Sequence, residues 1–170
     1  MVHSPTPAFI ADALALDFLN TAAAPLHEKA DCIGTGAGLL EWLERAALVP
    51  QETIDQLREQ IRPEVLDRVA GKARELREWF RSFVLERKGR SLTAEDLQAA
   101  EQLNRILAVD NCFTALVAGD DDGGVSPLQL QIVRRCRSPD SLLMPIAELL
   151  ARFLCEEDFD GVKGCEGPGC

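Results

Sequence analysis

The sequence predicts a mainly α fold: a single helical domain of five to six helices over residues 1–158, with a small antiparallel β-hairpin, then the start of a C-terminal zinc knuckle at 159–170. Three observations carry this. Apolar residues recur at three- and four-residue spacing along most of the chain, the period of a helix with one buried face. The period shortens only over 113–133, where two β-rich runs flank a Gly/Asp stretch. The final residues, Cys165-Glu166-Gly167-Pro168-Gly169-Cys170, set two thiols around a tight reversal. On spacing alone that pair is balanced between half of a metal site and a plain turn, because the strong zinc patterns contain two such pairs.

Taken in order, Ile10, Leu14 and Phe18 recur at helical spacing, with Ala13 and Leu16 widening the face, so a first helix is expected over 8–20. A strand through Leu14, Leu16 and Phe18 is the competing assignment. Residues 22–38 are polar and glycine-rich, a long connection of the kind that often carries function. Leu39, Leu40, Trp42, Leu43 and Ala46 make the inner face of a second helix, and 51–61 suits a short third. Pro63 fits the first turn of a longer fourth helix. Val65, Leu66, Val69, Ala73, Leu76, Phe80 and Phe83 form its stripe, and Gly89 can end it.

Thr93 and Asp96 resemble a capping pair, opening a fifth helix through Leu97, Ala100, Leu103 and Leu107. Residues 113–118 and 128–133 read as a hairpin around Gly119-Asp120-Asp121-Asp122-Gly123-Gly124. Those aspartates lack the alternate spacing and later Glu of a calcium loop, so an exposed acidic turn is expected. The last helix, 138–155, turns Leu142, Ile146, Leu149, Leu150 and Phe153 inward, with Pro145 in or near its first turn.

Composition narrows the function classes. The net charge of −10 argues against a broad DNA-binding face, so any nucleic-acid contact is expected to lie largely elsewhere. Residues 56–90 hold ten Lys/Arg against six Asp/Glu, a local +4 that leaves −14 for the remainder. Arg74, Arg77, Arg81 and Lys88 can share one helical face there. Interleaved Glu75, Glu78 and Glu86 make a solvated, ion-paired face the expectation. No basic N-terminal region precedes the apolar run 9–19, and Asp12 and Asp17 interrupt it, so neither a signal peptide nor a membrane span is expected. A cytoplasmic location and free thiols follow, with Cys32, Cys112, Cys136 and Cys155 as small buried hydrophobes.

Asp17, Asn20 and Thr21 fall within about one turn of each other and can share a face. Polar groups flanked by so much apolar sequence need partners when buried. In a structural assignment, Asn20 and Thr21 satisfy helix-end carbonyls and Asp17 pairs with an arginine such as Arg77. In a functional one they floor a ligand pocket. The structural assignment leads, as it does for Asn104 among Leu103, Ile106 and Leu107. His3 and His27 are the only histidines, and no catalytic triad, Cys-His pair or phosphate-binding glycine motif can be assembled. No catalysis is expected.

Several segments together resemble a bacterial family with an N-terminal ABATE domain and a CGNR-type zinc finger, described as stress-induced transcription regulators. Leu14-Ala15-Leu16-Asp17-Phe18-Leu19-Asn20-Thr21 is similar to that family's Leu-Asp-Phe-Val-Asn-Thr signature. Asp31 and Leu40-Glu41-Trp42-Leu43 match the Asp and Trp-Leu helix that follow it. Ala73-Arg74-Glu75-Leu76-Arg77-Glu78 resembles an Ala-x-x-Leu-Arg-Glu segment, and Leu103-Asn104 a Leu-Asn pair. Pro145-Ile146-Ala147, then Val162-Lys163-Gly164-Cys165 through Cys170, resembles the junction into the finger.

The resemblance implies a helical sensing or docking domain joined to a zinc finger that binds DNA. It makes Cys165 and Cys170 the first zinc pair. The second pair, which carries the Cys-Gly-Asn-Arg motif, is not in this sequence, so a truncated finger is expected. It also raises Asp17, Asn20, Thr21, Arg77 and Asn104 as ligand-binding candidates for an unidentified small-molecule effector. A homodimer suits such a regulator, although no heptad seam supports one. The competing classes are a stand-alone small-molecule binding module or enzyme, and an RNA-binding zinc-ribbon protein.

Overall fold

In the computed structural model the described residues are 9, 11, 13–22, 31–109, 112–118, 128–134 and 138–163, with the backbone alone at 112, 113 and 131–134. Seven α-helices and one two-stranded sheet lie among them. The helices are α1 (Leu14–Asn20), α2 (Gly36–Arg45), α3 (Gln51–Gln60), α4 (Pro63–Arg87), α5 (Asp96–Ala99), α6 (Glu101–Leu107) and α7 (Leu143–Glu156). Strands β1 (Cys112–Ala118) and β2 (Leu128–Arg134) sit between α6 and α7, and one-turn 3-10 helices occupy Pro139–Leu142 and Phe159–Gly161.

α4 is the mast of the fold: α1, α2 and α7 all pack on it, and α6 packs on α7. Its apolar stripe is the reason. Leu66, Val69, Ala73, Leu76, Phe80 and Phe83 are all buried along one side. Pro63 opens it at the position where a missing N–H leaves nothing unsatisfied. It ends at Gly89, whose φ of +75° costs a glycine little and whose N–H bonds the Phe159 carbonyl at 2.9 Å. Phe18 meets Trp42 at 5.1 Å between ring centroids, which locks α1 to α2. Phe80, Phe153 and Phe159 form edge contacts at 5.9 and 5.5 Å, which lock α4 to α7 and to the last 3-10 turn.

α2 is fixed at both ends. Thr35 Oγ1 accepts from the Gly38 N–H at 3.1 Å, and Asp67 of α4 accepts from the Gly36 N–H at 2.7 Å. At the other end Ala47 takes a φ of +53°, and the Ala47 and Leu48 N–H groups bond the Glu44 and Leu43 carbonyls at 2.9 and 3.0 Å. This is a Schellman closure on an alanine. The approach of α2 to α4 is set by Gly36: a Cβ there lies 2.6 Å from the Leu66 carbonyl carbon and collides with Leu66 Cβ.

The sequence-based boundaries shift in two places. The first helix begins at Leu14 rather than at residue 8, because Ala13 is extended (φ −125°, ψ 127°). Asp17 Oδ1 accepts from the Ala11 N–H at 2.8 Å, which holds the incoming chain against the first turn. The helix expected from Thr93 to Leu107 divides at Ala100, giving seven helices where five or six were expected. Asp96 does accept from the Thr93 N–H, at 2.9 Å. The division turns Leu97 outward to 62 % exposure, while Leu103 stays buried.

The strands pair antiparallel in unbroken register, with Leu116 opposite Leu130 and Ala118 opposite Leu128. The acidic turn, His3, His27 and the cysteine pair lie outside the described residues. Cys32 is buried as expected, but Cys155 is exposed. It falls off the inner face of α7, which runs through Leu143, Ile146, Ala147, Leu150 and Phe153. No described helix is long and apolar enough to cross a membrane.

Candidate functional site

The arginines of α4 build the most densely bonded polar cluster of the described residues. Arg74, Arg77 and Arg81 recur at spacings of three and four, so they line one side of the helix. That side meets the end of α1 and the turn at 31–35. Arg77 is 4 % exposed. Its Nη1 and Nη2 reach the two carboxylate oxygens of Asp31 at 2.8 and 2.7 Å, a bidentate pair. Nη1 also donates to Thr21 Oγ1 at 2.9 Å, and Nε to Glu78 at 2.9 Å. Arg81 donates to the Leu19 carbonyl at 2.7 Å and Arg74 to the Gly34 carbonyl at 3.3 Å.

Arg81, and Arg77 through Thr21, therefore brace the end of α1. α1 stops at Asn20, where the Thr21 and Ala22 N–H groups reach the Phe18 and Leu19 carbonyls only at 3.3 and 3.5 Å. The Thr21 hydroxyl donates to the Phe18 carbonyl at 2.7 Å, and Arg81 takes Leu19. Positive charge at a helix C-terminus is also favoured by the helix dipole. The Cys32 N–H then bonds the Thr21 carbonyl at 2.9 Å, which brings Asp31 under Arg77. Asp31 Oδ1 accepts from the Ile33 N–H at 3.0 Å, so the acid is held from its own turn as well.

The electrostatics follow. Burial alone pushes the Asp31 carboxyl up, but the hydrogen bonds and charge of Arg77, with the Ile33 N–H, outweigh it and hold the group below its ordinary value. Burial likewise opposes the Arg77 charge, and its bonds to Asp31 and Glu78 overcome that. The Cys32 thiol moves the other way: burial, then the neighbouring Asp31 charge, push it up. It is an inert thiol at neutral pH.

The sequence candidates separate accordingly. Thr21 and Arg77 belong to one network. Asp17 is buried in α1 and bonds the chain before it, while Asn20 is half-buried at the end of α1. The carboxylate on Arg77 is Asp31, not the Asp17 that the structural assignment suggested. On this face Arg74 and Arg81 reach backbone carbonyls and Arg77 is buried on Asp31 and Thr21, while the expected ion pairing survives at exposed Glu78, which bonds Arg77 and Arg81. Residue spacing could have paired Arg77 with many acids; Asp31 was visible only through the family resemblance.

Asn104 lies apart, exposed on α6, where it donates weakly to Glu101 at 3.4 Å. It borders a groove of about 340 Å³ between α5, α6, the end of α4 and α7. Phe83, Leu92, Leu97, Leu103 and Leu154 give the groove an apolar floor, and Thr93, Asp96 and Cys155 supply polar points. Asp96 is held from behind by Arg87 at 2.8 Å and Arg90 at 2.8 Å. The Arg90 hydrogen bond first, then the Thr93 N–H, keep the carboxyl well below the usual range. Size and lining match a small-molecule cleft. Among the described residues, no group of three or more His, Cys, Asp or Glu could hold a metal ion.

No curated protein and no solved structure matches the chain. A family model does: ABATE, described as "Putative stress-induced transcription regulator", matches residues 12–157. The matched span runs from just before α1 through α7 and includes the Thr21–Asp31–Arg77 network and the groove at Asn104. On that match the chain belongs to the ABATE family.

Proposed function

We propose that this chain is the helical sensing domain of a cytoplasmic transcription regulator whose zinc-binding segment, beginning at Cys165 and Cys170, contacts DNA. The family match over 12–157 carries the proposal. The charge distribution agrees with it: the chain, most of which is the helical domain, carries −10 net and so has no general affinity for phosphates, and DNA contact belongs to another segment. The role is binding rather than catalysis.

Two features suit a sensing domain. The groove beside Asn104 offers a cleft for an apolar effector, and Asn104, Thr93 and Asp96 would orient it. The Thr21–Asp31–Arg77 network holds α1 against α4, so Thr21 and Arg77 act chiefly by keeping the domain in one shape. A ligand that competed for Arg77 would release the end of α1.

The donor chemistry of the cysteine pair fits zinc. Two thiolates around Gly-Pro-Gly can take two corners of a tetrahedron, and two further ligands complete it. When bound, zinc supplies structural cross-linking of the segment. Metal analysis of the protein as its gene encodes it tests this. Purified protein should hold about one zinc per chain, and Cys165→Ser/Cys170→Ser should remove it. Full zinc retention in the double variant would place the metal on other residues.

A further inference from the structure

The connection 88–95 between α4 and α5 serves two neighbours at once. On one side Leu92, Thr93 and Ala94 form a wall of the groove beside Asn104. On the other it holds the last 3-10 turn. The Gly89 N–H donates to the Phe159 carbonyl at 2.9 Å, and the Ser91 hydroxyl donates to the Asp160 carboxylate at 3.3 and 3.4 Å. Arg90 joins the two sides. It donates to the two carboxylate oxygens of groove-lining Asp96 at 2.8 and 3.0 Å, and to the Ser91 carbonyl at 3.0 Å. A second route runs through α7, where Phe153 packs on Phe159 while its neighbours Leu154 and Cys155 line the groove.

We infer that filling the groove and seating the 159–161 turn are coupled, each favouring the other. The coupling rests on the groove being the effector cleft proposed above. Gly89 and Ser91 set where Leu92 to Ala94 stand, so the groove has its observed shape with the turn seated. An occupant that fits this shape binds the seated state more tightly than the released one, and so holds the turn in place. By linkage, releasing the turn weakens the occupant by the same factor.

The turn is built to respond. Phe159 is buried, yet Asp158, Asp160 and Gly161 around it are exposed. The Phe159 carbonyl also accepts from the Val162 N–H at 3.2 Å, so one acceptor serves both the closure of the turn and its bond to Gly89. Among the described residues, the turn is tied to the domain through the Phe159 ring, the half-buried Val162 and the bonds to Gly89 and Ser91. A unit this short can open without unfolding the helices. Cys165 stands four residues beyond Gly161 in the sequence, so groove occupancy reaches the root of the segment proposed to bind zinc.

Amide hydrogen exchange by NMR on the full chain, with and without the neutral apolar fluorophore N-phenyl-1-naphthylamine, tests this. Fluorescence titration first measures binding of the fluorophore, and Leu97→Asp, at an exposed position of the lining, should abolish it. At saturation, exchange of the Gly89 and Val162 amides should slow at least about fivefold, with the amides of α2 unchanged. Phe159→Ala should weaken the fluorophore by a similar factor while circular dichroism keeps its helical signal; the exchange comparison needs no variant to fold. Binding at the groove without slower exchange at Gly89 and Val162, or with equal slowing in α2, overturns the coupling and leaves the groove as a binding site. No binding at the groove removes the effector cleft, and the coupling falls with it.

Discussion

Arg77→Met is expected to lower the melting temperature by about 6–12 °C, from a stability loss of about 3 kcal/mol. The substitution keeps most of the aliphatic volume and removes the guanidinium. Asp31 then keeps a charge with only its own turn to hold it, and the Thr21 hydroxyl loses a donor. Breaking one side of a buried pair typically costs about 3–5 kcal/mol. The Asp31 side chain is 27 % exposed, which places the loss toward the lower end. Glu78→Gln is the matched control: that carboxylate is 54 % exposed on the same arginine, and its loss should cost under about 1 kcal/mol.

The Arg77 effect also carries a pH signature. Asp31 has a folded-state pKa below its ordinary value of 3.8. A depressed carboxylate stabilises the fold above its unfolded pKa, and the contribution is lost as pH falls through the folded value. The gap between wild type and Arg77→Met should therefore be full at neutral pH and narrow below about pH 4. Thermal melts across that range read it directly. A gap that stays constant down to acid would mean that Arg77 acts through packing alone.

Gly36→Ala is expected to cost about 3 kcal/mol, at the upper end of the usual overpacking range. A Cβ there meets the backbone of α4 at Leu66 and Asp67, which cannot swing aside as a side-chain tip can. The helices must separate, and the Asp67 bond to the Gly36 N–H stretches with them. Gly71→Ala makes the contrast. It lies inside α4 with only the Arg74 guanidinium end nearby, at 3.9 Å, so alanine should stabilise by up to about 1 kcal/mol through helix propensity. Opposite signs for the two substitutions in denaturant titrations are the expected result. Equal small effects would mean that α2 and α4 do not approach as closely as described.

The helical plan was legible because burial on one face leaves a period. Leu66 through Phe83 on α4 and Ile146 through Phe153 on α7 show it directly. Pro63 and Gly89 marked the ends of α4 for steric reasons that need no tertiary context. The break at Ala100 was not legible, since Leu97, Ala100 and Leu103 keep a helical spacing that the fold does not use. The start of α1 was missed because Asp17 bonds a residue before the helix, and spacing cannot show a side chain turning back.

The polar sites were less legible. Thr21 as a cap for the end of α1 followed from its position. The burial of Arg77 did not, because Glu75 and Glu78 beside it looked like sufficient partners. Its true acid lies 46 residues away in a turn, and only a three-dimensional fold selects one such acid among many. The groove at Asn104 joins four helices, so no single segment announces it.

In the proposed function this family member reads DNA through a zinc-thiolate segment. The most direct test is chromatin immunoprecipitation of an N-terminally tagged protein at its own genomic locus, beside Cys165→Ser/Cys170→Ser. Discrete enriched sites that vanish in the cysteine variant, at equal protein level, are the predicted result. No enrichment over an untagged strain, or sites unchanged by the cysteine variant, would contradict the claim.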